Sequence, residues 1–157
     1  MSIRVETTVT GPGPGELSGR LQEITRNTFA ELFGEYQESF NPPAWNWPRE
    51  TQRRVGTVGS PRNIVDIGTL RQSGTYTFPD AFSMEARWST QYASAEARRR
   101  TEYATAVHEG ARLRNGTILP ARSWTDAVRG TVQAPGITPF PLGVKLQQRI
   151  QRVVTGS

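Results

Sequence analysis

The sequence predicts an α+β domain, with helices and a small antiparallel sheet contributed by separate stretches of one chain. Three observations predict it. Apolar residues recur at steps of three and four from Glu16 to Ser39, two strand-forming runs meet at a tight turn around Pro79, and a second helical repeat runs from Leu142 to Val154. With 157 residues the chain suits one hydrophobic core plus terminal segments. The division follows composition: an N-terminal arm over 1–15, a core over 16–130, and a linker with a C-terminal helix or arm over 131–157.

Each element has a local reason. Ile3, Val5 and Val9 alternate with polar residues, so the N-terminus reads as an arm or an edge strand that GPGPGE then interrupts. Leu17, Leu21, Ile24, Phe29, Leu32, Phe33, Tyr36 and Phe40 form one helical stripe, which Asn41, Pro42 and Pro43 end. Asp66 is placed to cap a short helical turn over Ile67–Gln72. Gly74–Phe78 and Phe82–Thr90 read as strands joined through Pro79, Asp80 and Ala81, with Phe82, Met84, Ala86 and Trp88 on one face. Ala95–Val107 reads as helix, and Leu119–Val128 as a last core helix. TVQAPGITPFPLG is a turn-rich linker, long enough to let the terminal helix pack elsewhere.

Composition excludes some chemistry. There is no cysteine, so disulfides and thiolate metal sites are ruled out. No window approaches the roughly 20 apolar residues of a membrane span, and the expectation is a soluble protein without membrane contact. Of the 19 basic residues 18 are arginine, whose planar fork suits carboxylates, phosphates and aromatic faces alike. The charges are unevenly placed: residues 1–40 hold six acids and three arginines, whereas Gly110–Ser157 hold seven bases and Asp126 alone. Such asymmetry suits head-to-tail contact between identical subunits, and a solvated surface fits it equally.

Each candidate site has a plain structural alternative. Trp45 and Trp47, with Arg49, Arg53 and Arg54 behind them, fit a docking or nucleic-acid stacking platform, while packing against the chain's own domain is the commoner use of tryptophan. Arg98, Arg99 and Arg100 are consecutive and so spread around a helix, which favours a solvated or intersubunit surface over a one-faced nucleic-acid patch. His108 is the only histidine, so a zinc-protease pair is impossible, and no strained nucleophile turn accompanies it. The GPGPG run lacks the lysine of a phosphate loop, and its prolines withhold amide donors. No catalytic, cofactor-binding or metal-binding residue is therefore assigned, and the expectation is a protein that is not an enzyme and needs no cofactor.

Ser60–Ser73, SPRNIVDIGTLRQS, carries Asp66, Gly68, Leu70 and Ser73 at the spacing of a D-T-G-x-L-x-x-S element, with Ile67 in place of threonine. Tyr103, Ala104, Val107, His108 and Gly110 match Y-A-x-x-V-H-x-G, with Glu109 at the free position, and Pro120, Ala121, Arg122 and Trp124 match P-A-R-P-[FW], with Ser123 in place of proline. In this order the set resembles the tail-completion and head-tail joining proteins of tailed bacteriophages, over roughly Glu16–Val128 with WPRETQRR included.

The resemblance implies a long N-terminal helix packed on a small antiparallel sheet, with extended terminal arms and a C-terminal helix. It also implies a structural virion protein, assembled in the host cytoplasm, that forms a ring in the neck or at the head-proximal end of the tail. The implied ring is hexameric or dodecameric, the hexamer preferred. It would contact other neck and tail-tube proteins and let DNA pass through its channel without sequence-specific binding. Within it, Arg98–Arg100 and the loop from Arg112 to Arg114 would pair with acidic surfaces of neighbours. The alternative is a basic nucleic-acid-binding module built on Trp45, Trp47 and the nearby arginines.

Overall fold

A computed structural model describes residues 1–7, 15–41, 43–45, 51–53, 56–58, 69–89, 103–112, 116 and 118–155. Along the chain run β1 (Ser2–Glu6), α1 (Gly15–Glu38), a 3-10 turn (Pro43–Trp45), β2 (Thr51–Arg53), β3 (Gly56–Val58), α2 (Thr69–Gln72), β4 (Gly74–Asp80), β5 (Ser83–Trp88), α3 (Tyr103–Glu109), β6 (Ala111–Arg112), β7 (Ile118–Leu119), α4 (Trp124–Arg129) and α5 (Leu142–Thr155). The fold is mixed helix and sheet, as the sequence predicts.

The main sheet has the order β1-β5-β4, antiparallel throughout. Of the two readings of the N-terminus, the edge strand is the one observed. Ile3 faces Ala86 and Val5 faces Met84 across the β1–β5 ladder, and Met1 and Trp88 exchange backbone hydrogen bonds of 3.0 Å in both directions. The β4–β5 turn lies two residues later than the sequence suggests. Asp80 draws the chain round by accepting the Phe82 amide at 2.8 Å and the Ser83 hydroxyl at 2.5 Å. Pro79 is tolerated inside β4 because that strand is an edge of this sheet, and the pairing shifts register between Thr77 and Asp80. Phe82 consequently leaves the inward row for the turn, while Met84, Ala86 and Trp88 point into the core with no exposed surface.

Helix α1, 24 residues and about 36 Å long, lies across this face. Phe29, Leu32 and Tyr36 supply its buried stripe, which Phe40 continues just past the helix end. Phe33 stacks near Trp88 at 5.7 Å between ring centroids, and Tyr36 meets the same indole edge-on at 5.9 Å. Trp124 then joins three elements: it is edge-on to Trp88 at 5.9 Å, tilted against Phe40 at 4.7 Å, and edge-on to His108 at 4.8 Å. Truncating the fully buried Phe40, Trp88 or Trp124 ring to alanine costs about 3–5 kcal/mol.

The turn-rich linker is anchored rather than loose. Phe140 is buried and its amide donates to Val128 O at 2.8 Å, which returns the chain to α1. There Leu146 of α5 is buried, Arg149 donates to Thr28 Oγ1 at 2.9 Å and Glu31 at 2.5 Å, and Lys145 reaches Glu31 at 3.3 Å. The terminal helix thus packs on its own domain. Among the described residues no helix is long and apolar enough to cross a membrane.

Candidate functional site

The stretch that carries the most suggestive residues, Tyr103–Trp124, folds as a tight corner. Helix α3 ends at Glu109, and its last carbonyls need donors that a helix cannot supply internally. Two residues from the far side of the corner provide them. The Arg122 amide donates to both Val107 O (3.0 Å) and His108 O (3.1 Å), and the Ser123 hydroxyl donates to His108 O at 3.1 Å. A hydroxyl at position 123, where the related motif has proline, therefore has a specific task.

Gly110 makes the turn possible. Its φ is +81°, and a Cβ placed there would lie 2.9 Å from both Leu119 O and Ala121 N. Only a residue with no side chain fits such an approach without backbone movement. Leu119 belongs to the two-residue strand β7, paired with β6 through Ala111, so the last core helix begins at Trp124 rather than at Leu119. At the other end of α4, Gly130 takes the left-handed conformation and its amide returns to Ala127 O.

His108 is held inside this corner. It is 7% exposed, its Nε2 lies 2.7 Å from Thr125 Oγ1, and its ring meets Trp124 at 88°. Burial lowers its pKa below the ordinary histidine range, while Asp126 and Glu109 pull weakly in the other direction. This cluster does not have the geometry of a catalytic triad. A base in a triad uses one ring nitrogen for the nucleophile and the other for the orienting acid. Here Thr125 and Asp126, the latter 3.9 Å away, both face Nε2, and Thr125 is 1% exposed. Among the described residues, no group of three or more His, Asp or Glu side chains could hold a metal ion.

The other motif residues divide between core and surface. Leu70, Ala104, Val107, Arg122 and Trp124 are buried, and Ser73 closes α2 by donating its hydroxyl to Leu70 O at 2.8 Å. Arg71, inside the same motif, ties α2 to the end of α1 through Glu38 (2.7 Å) and Asn41 (3.3 Å). Glu109, Pro120 and Ala121 are exposed. Tyr103 opens α3, but its side chain lies outside the described residues, as do Asp66 and Gly68.

Among the candidate partner contacts, Trp45 must be withdrawn. It is 7% exposed and its indole donates to Ser39 O at 2.6 Å, so it packs on its own domain and offers no stacking face. Arg112 is exposed on β6, and Arg53 ends β2. Trp47, Arg49, Arg54, Arg98, Arg99, Arg100 and Arg114 lie outside the described residues.

A second feature escaped the sequence reading. A cleft of about 300 Å³ opens between β1, α1 and the α4–α5 connection, with Val5, Leu32, Phe140 and Leu142 as apolar walls and Arg4, Glu6, Tyr36 and Arg129 as its polar groups. Tyr36 is fully buried and its hydroxyl has no hydrogen-bond partner. Burial pushes the phenol up to about 12, partly opposed by Arg129, so it keeps its proton at neutral pH. The lining residues are up to 138 positions apart in the chain, between Arg4 and Leu142, and no local pattern links them. Comparison with known proteins found no matching family model, no matching curated protein and no matching solved structure.

Proposed function

We propose that the chain is a structural subunit of the neck or head-proximal tail of a tailed phage, closing with copies of itself into a ring that joins tail to head. The observation that carries this reading is the ordered set of three motifs in the sequence. Their residues act together as a scaffold: Leu70, Ala104, Val107 and Trp124 enter one core, and Gly110 and Arg122 form the turn that locks α3 to α4. That is the use expected of a family signature that maintains a shape.

Function in this reading is association without chemistry. The acidic N-terminal portion and the basic portion after Gly110 give head-to-tail neighbours opposite charges, and a repeated heterologous contact closes into a ring when its rotation allows. DNA passes through the channel without sequence-specific contacts. The nucleic-acid-module alternative is weakened by the burial of Trp45, one of its two stacking residues.

The test is the mass distribution of the purified chain, alone and mixed with tail tubes or neck proteins, with negative-stain images of the same samples. Closed rings, or assembly on those partners, support the reading. A monomer that ignores both and binds DNA with a steep salt dependence overturns it.

A further inference from the structure

We propose that the outer edge of β4 is a docking strand for a second copy of this chain, the two β4 strands pairing antiparallel about Tyr76 so that two sheets become one. The inference is independent of the ring reading, because a contact between identical edges joins copies two by two whether or not rings close.

The main sheet has two edges, and they differ. β1 carries Arg4 and Glu6, exposed and paired with each other, among its five residues, and charge on an edge discourages further pairing. β4 has no charged residue from Gly74 to Phe78, and among the described residues no strand covers its outer side. Thr75, Tyr76 and Thr77 are exposed there, Tyr76 to 39%. The backbone donors and acceptors along such an edge are left to water or to a further strand. Pro79 withholds a donor and the register shifts between Thr77 and Asp80, which confines new pairing to Gly74–Phe78.

The occupant follows from the residues of this edge. Thr75-Tyr76-Thr77 reads the same in both directions, so an antiparallel partner of identical sequence sets Tyr76 opposite Tyr76, each Thr75 opposite a Thr77, and each Phe78 opposite a Gly74. Aromatic and hydroxyl pairs of this kind favour a ladder, and no like charges meet in it. Tyr76 stands on the α1 side of the sheet, 4.7 Å from Phe33 and 5.5 Å from Phe78 between ring centroids, so pairing joins two aromatic rows into one patch. Charge agrees with the same register. Arg26 lies over the Phe78 ring at 5.6 Å and has no ion pair among the described residues. Gly74 lies against the Gln37 side chain, beside the carboxyl end of α1. Setting Phe78 opposite the partner's Gly74 therefore brings Arg26 toward an end that has Glu35 and Glu38 against Arg71, no base in its last turn, and the negative pole of the helix.

The chain has no cysteine, so single cysteines in the full chain report the register. Under mild oxidation with oxidised glutathione, Tyr76→Cys should give mostly covalent dimer on a denaturing, non-reducing gel, because opposed residues of an antiparallel pair hold their Cα atoms about 4.5–5.5 Å apart. Thr77→Cys faces the partner's Thr75 and lies roughly 8 Å from its own mate, beyond disulfide reach, and should give at least about fivefold less. The gel reads these pairs whether or not rings are present. Sedimentation equilibrium supplies the second test, with charges on the exposed Thr75 and Thr77 that leave the core untouched. Thr75→Lys with Thr77→Lys sets lysines opposite each other and should weaken self-association about tenfold, whereas Thr75→Glu with Thr77→Lys sets opposite charges across both pairs and should leave it intact or tighter. If Tyr76→Cys melts early, the two charge variants decide. Equal cross-linking of the two cysteine variants, no covalent dimer from a folded Tyr76→Cys, or equal association of the two charge variants overturns the proposal. A wild-type chain that stays monomeric at every concentration overturns it too, and leaves the edge to a strand from another protein.

Discussion

Replacing Gly110 by alanine tests whether the α3–α4 corner is the rigid element that its geometry implies. Two separate penalties apply. The left-handed backbone at φ +81° costs an L-residue about 1–2 kcal/mol. The added Cβ would also sit 2.9 Å from Leu119 O and Ala121 N, both backbone atoms that cannot rotate away, and overpacking of this kind costs about 1–3 kcal/mol. Alanine returns about 0.4–1 kcal/mol by restricting the unfolded chain. Gly116 supplies the control, since its φ is also +81° but a Cβ there meets nothing within 4 Å. Gly116→Ala bears the first penalty and the same return; Gly110→Ala bears both penalties. The difference, about 1–3 kcal/mol, isolates the close approach, and at this chain length each kcal/mol moves Tm by about 2–4 °C. Urea denaturation and thermal melts of both variants measure it. If the two variants agree within about 0.5 kcal/mol, the usual scatter of independent sites, the corner is not tightly closed and the argument fails.

His108 predicts a pH dependence. Its folded pKa is lowered by burial, so its contribution is fully present above the unfolded value of about 6.5 and is lost as pH falls from there toward the folded value, at up to about 1.4 kcal/mol per pH unit. Glu31, Asp80 and Glu85 have lowered values, so their contribution is present throughout this range and is lost only at more acid pH, and unfolding free energies at pH 7.5 and 5.5, compared between wild type and His108→Gln, isolate the histidine; equal differences in the two proteins would refute the assignment. Gly74→Ala should destabilise by about 1–3 kcal/mol, because its Cβ would lie 2.6 Å from the buried Trp88 indole nitrogen and 2.0 Å from the Gln37 amide; a melt within 1 °C of wild type would show that both side chains move aside freely. Trp45→Phe removes the hydrogen bond to Ser39 O and should cost about 1–3 kcal/mol in chemical denaturation, whereas an unchanged midpoint would return Trp45 to the list of possible partner contacts. Arg149→Ala should cost about 0–1 kcal/mol, since its partner Glu31 is 40% exposed, and a loss above about 2 kcal/mol would mean that α5 docking depends on this pair far more than on Leu146.

What could be read from the sequence was whatever has a period or a local cause. The stripe from Leu17 to Phe40 gives α1 to within one residue at each end, and the α5 pattern does the same, although α1 buries its face at Phe29, Leu32 and Tyr36 whereas α5 fully buries Leu146 alone. The hairpin was legible but its turn was not. Pro79 looks like a strand terminator, and nothing local announces that β4 is an edge, where a missing amide donor is harmless. Leu119 reads as the start of a helix, yet its backbone pairs with Ala111, beside the left-handed Gly110. The cleft was illegible for a stronger reason. Tyr36 reads as one more core residue of α1, and its missing hydrogen-bond partner is a property of the packed molecule alone.

The same contrast explains why the lone histidine attracts a catalytic interpretation and does not support one. A histidine is reactive when one nitrogen is oriented by an acid and the other meets solvent or substrate. In this chain the order of contacts is inverted: Nε2 meets a hydroxyl that is itself buried, the ring edge rests on Trp124, and the backbone carbonyl of His108 takes two donors from Arg122 and Ser123. Side chain and main chain of one residue thereby join α3 to the start of α4, and Trp124 carries that junction on to Phe40, just past α1, and to Trp88 of β5. Such a corner ties the short β6–β7 pair, with Arg112 exposed on β6, to the core through Leu119 and the close approach at Gly110. A subunit whose proposed work is to present charged surfaces repeatedly around a ring needs that rigidity, since a loop ordered only on contact would have to offset its ordering entropy at every interface.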